Sequence, residues 1–177
     1  MTFDKEKFKT LVHYIVWKVG KHDNFGATKL NKVLWFSDAK TFVLTGKPIT
    51  GATYIREKYG PVPKQMLPVG AELVNEGAIR VSQSRGSGDH TKFTPLLAPV
   101  PSILTKQELE TVDWWIRHID EKHTATSISD ESHDYGWEIA AMGSEIPLHA
   151  FMASRIRELT PLETEKAKQR AKELGLI

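Results

Sequence analysis

The chain has 177 residues, 40% hydrophobic and 26% charged, which is ordinary for one well-packed soluble domain. The absence of cysteine excludes disulfides, thiolate metal sites and cysteine nucleophiles together. Net charge is only +2 but unevenly placed, at +5 over residues 1–50, +2 over 51–100 and −5 over 101–177, so the pattern predicts a polarised surface.

The opening residues, MTFDKEKFK, lack the apolar run of a signal peptide, and no apolar stretch is long enough to cross a bilayer. A cytoplasmic location is the expectation. Residues 4–20 read as a first helix, with Phe8, Leu11, Val12, Ile15 and Val19 in one stripe and Gly20 as its stop. A turn-rich connector follows. His13 and His22 have no motif partners in the sequence.

A second helix starts near Thr28, a candidate cap, and ends at Gly46-Lys47-Pro48. Leu30, Val33, Leu34 and Ser37 share one face and Trp35, Ala39 and Phe42 a second. Apolarity over so much of the circumference predicts a helix buried on several sides. ITGATYI, residues 49–55, reads as a short strand despite its central glycine. YGPVP then reads as a rigid corner, with Pro63 in the first turn of a third helix. Pro68 leaves that helix either kinked or starting near Val69.

Residues 79–84 and 91–96 are extended around a Gly/Ser-rich break, a β-hairpin. Three helices followed by a hairpin is the order of a winged helix, with Arg80, Arg85, His90 and Lys92 decorating the wing, which makes DNA a candidate partner. The same order also serves domains that never touch nucleic acid.

Thr105-Lys-Gln-Glu108 matches a capping box before an apolar period, so residues 105–122 form a helix. The adjacent Trp114 and Trp115 cannot both face its core. Ser127 and Ser129 are candidate caps for a short helix holding Asp130, Glu131, His133 and Asp134, and 142–147 reads as a turn. Ser132-His133-Asp134 spells a triad in order, but adjacent residues point apart and cannot relay a proton. His118 and His123, five apart, are expected on different faces of their helix. Residues 160–177 form a highly charged terminal helix, peripheral or docked on a partner.

There is no GxGxxG, no GxxxxGK[ST], no HExxH and no GxSxG. The sequence demands no enzyme, and it points to no catalytic residue, cofactor or metal. The expected fold class is mainly α with some β (α+β), a compact helical domain carrying a small wing-like hairpin.

Several separated runs carry a resemblance: KLNKVLWF from Lys29, LTGKP from Leu44, KYGPV from Lys58, LTKQE from Leu104 and SHDYGW from Ser132. In this order they resemble the Panacea domain family, the SocA-like antitoxin domains of bacterial and phage toxin–antitoxin systems. In the last run Ser132 stands where threonine is usual. The resemblance implies a mostly helical domain over residues 1–155, with 156–177 appended. It implies an antitoxin that binds a cognate protein toxin, typically encoded next door, and it implies no catalysis.

Candidate contact residues on that reading are Glu57, Tyr59, Trp114, Trp115, His133, Asp134 and Trp137, with Arg56 and Lys58 beside the proline corner. Aromatic anchors suit an interface, and the acidic stretch 120–145 suits a basic partner. Tyr59, Gly60, His133 and Trp137 could equally hold the fold's corner together. A second copy of the chain is a further candidate partner, and DNA a secondary one.

Overall fold

The computed structural model describes residues 2–20, 22, 24–84 and 90–153, with four isolated positions, 165, 168, 169 and 172. Arg85, the hairpin tip and the appended helix of 156–177 therefore lie outside the described residues, apart from those four. The described chain is mainly helical with some β, as the sequence predicts, and it carries two small antiparallel sheets where one hairpin was expected. None of its helices is long and apolar enough to cross a membrane.

Helix α1 is Lys5–Val19, capped by Asp4, whose Oδ1 accepts the Lys7 amide at 2.9 Å. Helix α2, Ala27–Thr45, is the centre of the domain. It packs on α1, on the later helices α4 (Lys106–Lys122) and α5 (Ala125–Glu131), and on strand β2 (Gly60–Pro63). Leu30, Val33, Leu34, Trp35, Phe36 and Ala39 are all buried, so the all-round burial its apolarity predicts holds over residues 29–39, whereas Phe42 is only partly buried and Val43 and Leu44 are exposed. Lys29, Lys32 and Asp38 are buried with them. The cap of α2 is Gly26 rather than Thr28, and no side chain satisfies its first turn. Gly46 closes the helix in the left-handed region at φ 76°, where its amide bonds to Phe42 O.

The segment after α2 differs from expectation. Residues 49–53 do not form a strand, because the buried Asp38 carboxylate captures Thr50 through its amide (2.9 Å) and its hydroxyl (2.5 Å). Strand β1 is Tyr54–Glu57, and it pairs with β2, so YGPVP is the second strand of a hairpin. Pro61 and Pro63 are tolerated because β2 lies at a sheet edge, where a missing donor leaves no neighbour unbonded. The other edge of β1 pairs with β5, Glu145–Ile146, inside the region expected to be only a turn.

Helix α3 runs Met66–Asn75, so Pro63 is not in its first turn. Pro68 instead sits in that turn, where its missing N–H costs nothing, so the helix is not delayed to Val69. Strands β3 (Ile79–Ser84) and β4 (His90–Pro95) form the expected hairpin. Helix α4 opens on the Thr105/Glu108 capping box. Helix α5 is capped by Thr124, not by Ser127 or Ser129. Ser127 instead completes a reciprocal box with Thr124, and Ser129 is buried. Asp134 opens a separate helix, α6 (Tyr135–Ile139), and α7 is Ala150–Ala153.

Candidate functional site

The β1–β2 turn, the end of α5 and the start of α6 meet over α2, and the meeting point is Gly60. Its φ of 93° favours glycine, and a Cβ there would collide with Ser132 Oγ and Lys32 Nζ. Lys32 reaches it from the middle of α2 with 1% of its surface exposed and donates to Pro61 O at 3.0 Å. Burial drives its ammonium down from 10.5 to about 7. Ser132 is buried as well, its hydroxyl donating to Ser129 O at 2.7 Å.

Beside this buried knot lies an aromatic–cation stack. The His133 ring lies on Trp137 with centroids 3.6 Å apart and planes 10° from parallel. The Arg56 guanidinium also sits over Trp137, 4.2 Å from the ring centroid. Trp137 Nε1 donates to Glu57 O at 3.0 Å, and Arg56 Nη1 donates to Ala140 O at 2.6 Å. Asp134 Oδ1 accepts the Trp137 amide as the cap of α6. His133 is held below its ordinary pKa by burial first, then by the positive charges of Lys32 and Arg56, against the pull of Asp130 and Asp134. Its Nε2 is buried and has no hydrogen-bond partner among the described residues. A neutral imidazole suits that stack.

Five of the predicted contact residues, Glu57, Tyr59, His133, Asp134 and Trp137, thus belong to elements that converge here. They divide by role: His133, Asp134 and Trp137 are half-buried and hold the corner, whereas Glu57 and Tyr59 project from the turn, Tyr59 59% exposed. Arg56 turns inward instead of outward. Lys32 is not marked out by any motif; its burial follows from its place in the part of α2 that is enclosed on all sides, whereas Lys40, nearer the end of the same helix, is exposed.

The two tryptophans of α4 lie apart from this corner. Trp115 is 6% exposed and stacks on Phe36 at 4.6 Å, so it belongs mainly to the core, although it also lines the groove that Trp114 borders. Trp114 is 49% exposed and lines an open groove of about 980 Å³ with Lys40, Leu44 and Lys47 of the α2 end. His118 and His123 are not on different faces. Their ring centroids are 5.2 Å apart, because His123 follows the last helical residue with extended angles (φ −129°, ψ 140°) and its ring folds back.

For the DNA reading, the hairpin carries exposed Arg80 opposite Thr94 and half-buried Lys92 opposite Ser82. The β1–β2 hairpin intervenes between α2 and α3, so these do not form a helix-turn-helix, and α3 contains no lysine or arginine.

The family model for the antitoxin SocA-like, Panacea domain matches residues 30–138. That span runs from the second turn of α2 to α6 and includes Lys32, Arg56, Gly60, Ser132, His133 and Trp137. No curated protein and no solved structure shows significant similarity to the chain.

Proposed function

The chain belongs to the SocA-like antitoxin family of Panacea-domain proteins, and we propose from that premise that it neutralises a cognate protein toxin by binding it directly. The family match over most of the fold carries this reading. The corner around Trp137 supports it as the contact face. Tyr59, Tyr135, Ile139 and Met142 are exposed on the segments that three hydrogen bonds tie to Arg56 and Glu57. Trp137 bonds to Glu57, Ala140 accepts from Arg56, and the Gly143 amide donates to Arg56 O at 2.8 Å.

Aromatic and aliphatic side chains on a rigid, internally bonded base are what a binding hot spot requires, since little order remains to be imposed on association. Trp137, Arg56 and Asp134 beneath them are engaged in packing, backbone bonding and capping, which supports reading the chain as a binding protein. A basic rim on the toxin would complement Glu57 and Glu138.

The test is co-expression of the chain with the product of the adjacent gene. Wild-type chain restores growth and co-purifies with the toxin. Tyr59→Ala combined with Ile139→Ser keeps the same melting temperature and loses both properties. Full rescue by that double variant would move the contact face elsewhere, and failure of the wild type beside a confirmed toxin would remove the antitoxin role.

The DNA-binding alternative now rests on Arg80 and Lys92 of the β3–β4 hairpin, together with Arg85, which lies outside the described residues. Retention on DNA from upstream of its own gene, falling steeply as salt rises and weakened by Arg80→Ala, would sustain it. No retention at low salt removes it.

A further inference from the structure

We infer that His118, His123 and Glu131 form a binding site for a single divalent transition-metal ion of the zinc class, fastening the end of α4 to the end of α5. The ligand atoms of these three side chains all lie within 4.8 Å of one another. His123 Nε2 and Glu131 Oε2 are already 3.4 Å apart. Adjacent ligands on a tetrahedral zinc ion are separated by about 3.3 Å, given metal–nitrogen bonds of about 2.0 Å. That pair is therefore placed, and only His118 has to move.

The His118 ring has a fixed neighbour on one side, the buried Trp115 edge-on at 5.7 Å, and a yielding one on the other, the half-exposed Trp114 on which it stacks at 4.7 Å, so its freedom to move lies on the Trp114 side. A change of about 1.5 Å at a ring nitrogen lies within ordinary side-chain torsional freedom.

The other ring nitrogen of His123 supplies an independent argument. Nδ1 lies 3.3 Å from Ser127 Oγ. When Nδ1–H donates to that oxygen, Nε2 is left with a lone pair facing Glu131. This is the arrangement by which an outer hydrogen bond fixes the tautomer and direction of a ligating histidine. Ser127 is itself held by the Thr124 amide at 3.0 Å, so the outer contact is anchored in the α5 capping box.

Two imidazoles and one carboxylate suit Zn²⁺, Co²⁺, Ni²⁺ or Cu²⁺ and not the oxygen-seeking Mg²⁺ or Ca²⁺. Three protein ligands leave a fourth position open to solvent or to a partner's side chain. Five-residue spacing separates two histidines only while both are helical, and His123 lies just beyond the end of α4.

The experiment is isothermal titration of tag-free protein with Zn²⁺ near neutral pH, with Co²⁺ absorption as the geometric readout. Wild type takes up one ion per chain, and Co²⁺ gives the intense visible bands of tetrahedral coordination. His118→Gln, His123→Gln and Glu131→Gln each weaken Zn²⁺ binding by at least about tenfold, and Ser127→Ala by about tenfold to a hundredfold. Circular dichroism establishes that each variant is folded at the temperature used. His13→Gln and His22→Gln leave binding unchanged. No uptake by the wild type overturns the site, as does uptake that the three ligand substitutions leave intact.

Discussion

Replacing Lys32 by methionine tests the reading of the buried corner most directly. The folded chain holds this ammonium at about 7, whereas an unperturbed lysine titrates at 10.5. Between those two values the unfolded chain keeps the proton and the folded chain does not. Proton release on folding means that stability rises with pH through this window, by up to about 1.4 kcal/mol per pH unit. Below it the full penalty of the buried charge is present, and above it the penalty is gone. Integrated from about pH 7 to about pH 9, Lys32 contributes a rise of about 2 kcal/mol.

Lys32→Met removes this titration and keeps much of the volume. The variant also leaves the Pro61 carbonyl without its donor, a fixed cost of about 1–3 kcal/mol that does not vary with pH. The quantity to compare is thus the difference in unfolding free energy between variant and wild type at the two pH values. Urea denaturation followed by tryptophan fluorescence provides it. The difference should shift by about 2 kcal/mol against the variant as pH rises. His133 titrates below this range and does not contribute. Parallel stability curves for the two proteins would refute the claim that Lys32 is buried at the cost of its charge.

Other parts of the fold make separate predictions. Gly60→Ala forces a side chain into a left-handed position against Ser132 Oγ and Lys32 Nζ, and should lower the unfolding free energy by about 2 kcal/mol or more in urea. Trp115→Ala should cost about 3–5 kcal/mol by the same measurement, while Trp114→Ala stays within about 1 kcal/mol of wild type; equal effects would contradict their opposite burial. Tyr54→Phe removes the hydroxyl that donates to Asp38 Oδ2 at 2.9 Å and should cost about 1.5–3 kcal/mol. A neutral result there would show that Asp38 is satisfied by Thr50 alone.

What could be read from the sequence was local in origin. Helix α4 was legible because its capping box and apolar period are written within seventeen consecutive residues. The β3–β4 hairpin was legible from alternation around a Gly/Ser break. The central place of α2 followed from apolarity around its whole circumference.

What could not be read depended on contacts distant in sequence. YGPVP looked like a corner because proline discourages a strand, and only the position of β2 at a sheet edge, set by β1 pairing with β5, makes it one. Residues 49–53 looked like a strand because the competing partner, Asp38, lies a helix away. Trp114 and Trp115 were legible as a divided pair, but which one turned inward depended on Phe36. His118 and His123 were separated on paper by a helix that stops between them.

The burial of Lys32 also bears on how the corner functions. An apolar residue at that position could pack against β2 and Ser132 equally well, and replacing buried charged groups by apolar residues of similar volume is often neutral or stabilising. What the ammonium adds is direction: it bonds one carbonyl of β2 and sits against a glycine that no other residue can replace without collision. That fixes the β1–β2 turn over α2, and the turn in turn receives Trp137 through Glu57. Tyr59 is therefore held from beneath by a chain of contacts that starts in the centre of α2. On the binding function proposed above, Lys32→Met should then weaken toxin association more than its effect on folding explains. The measurement is the dissociation constant at high pH, where variant and wild type differ least in the energetics of the buried charge. Unchanged affinity there would mean that the turn is held by β-pairing alone and that Lys32 plays no part in presenting Tyr59.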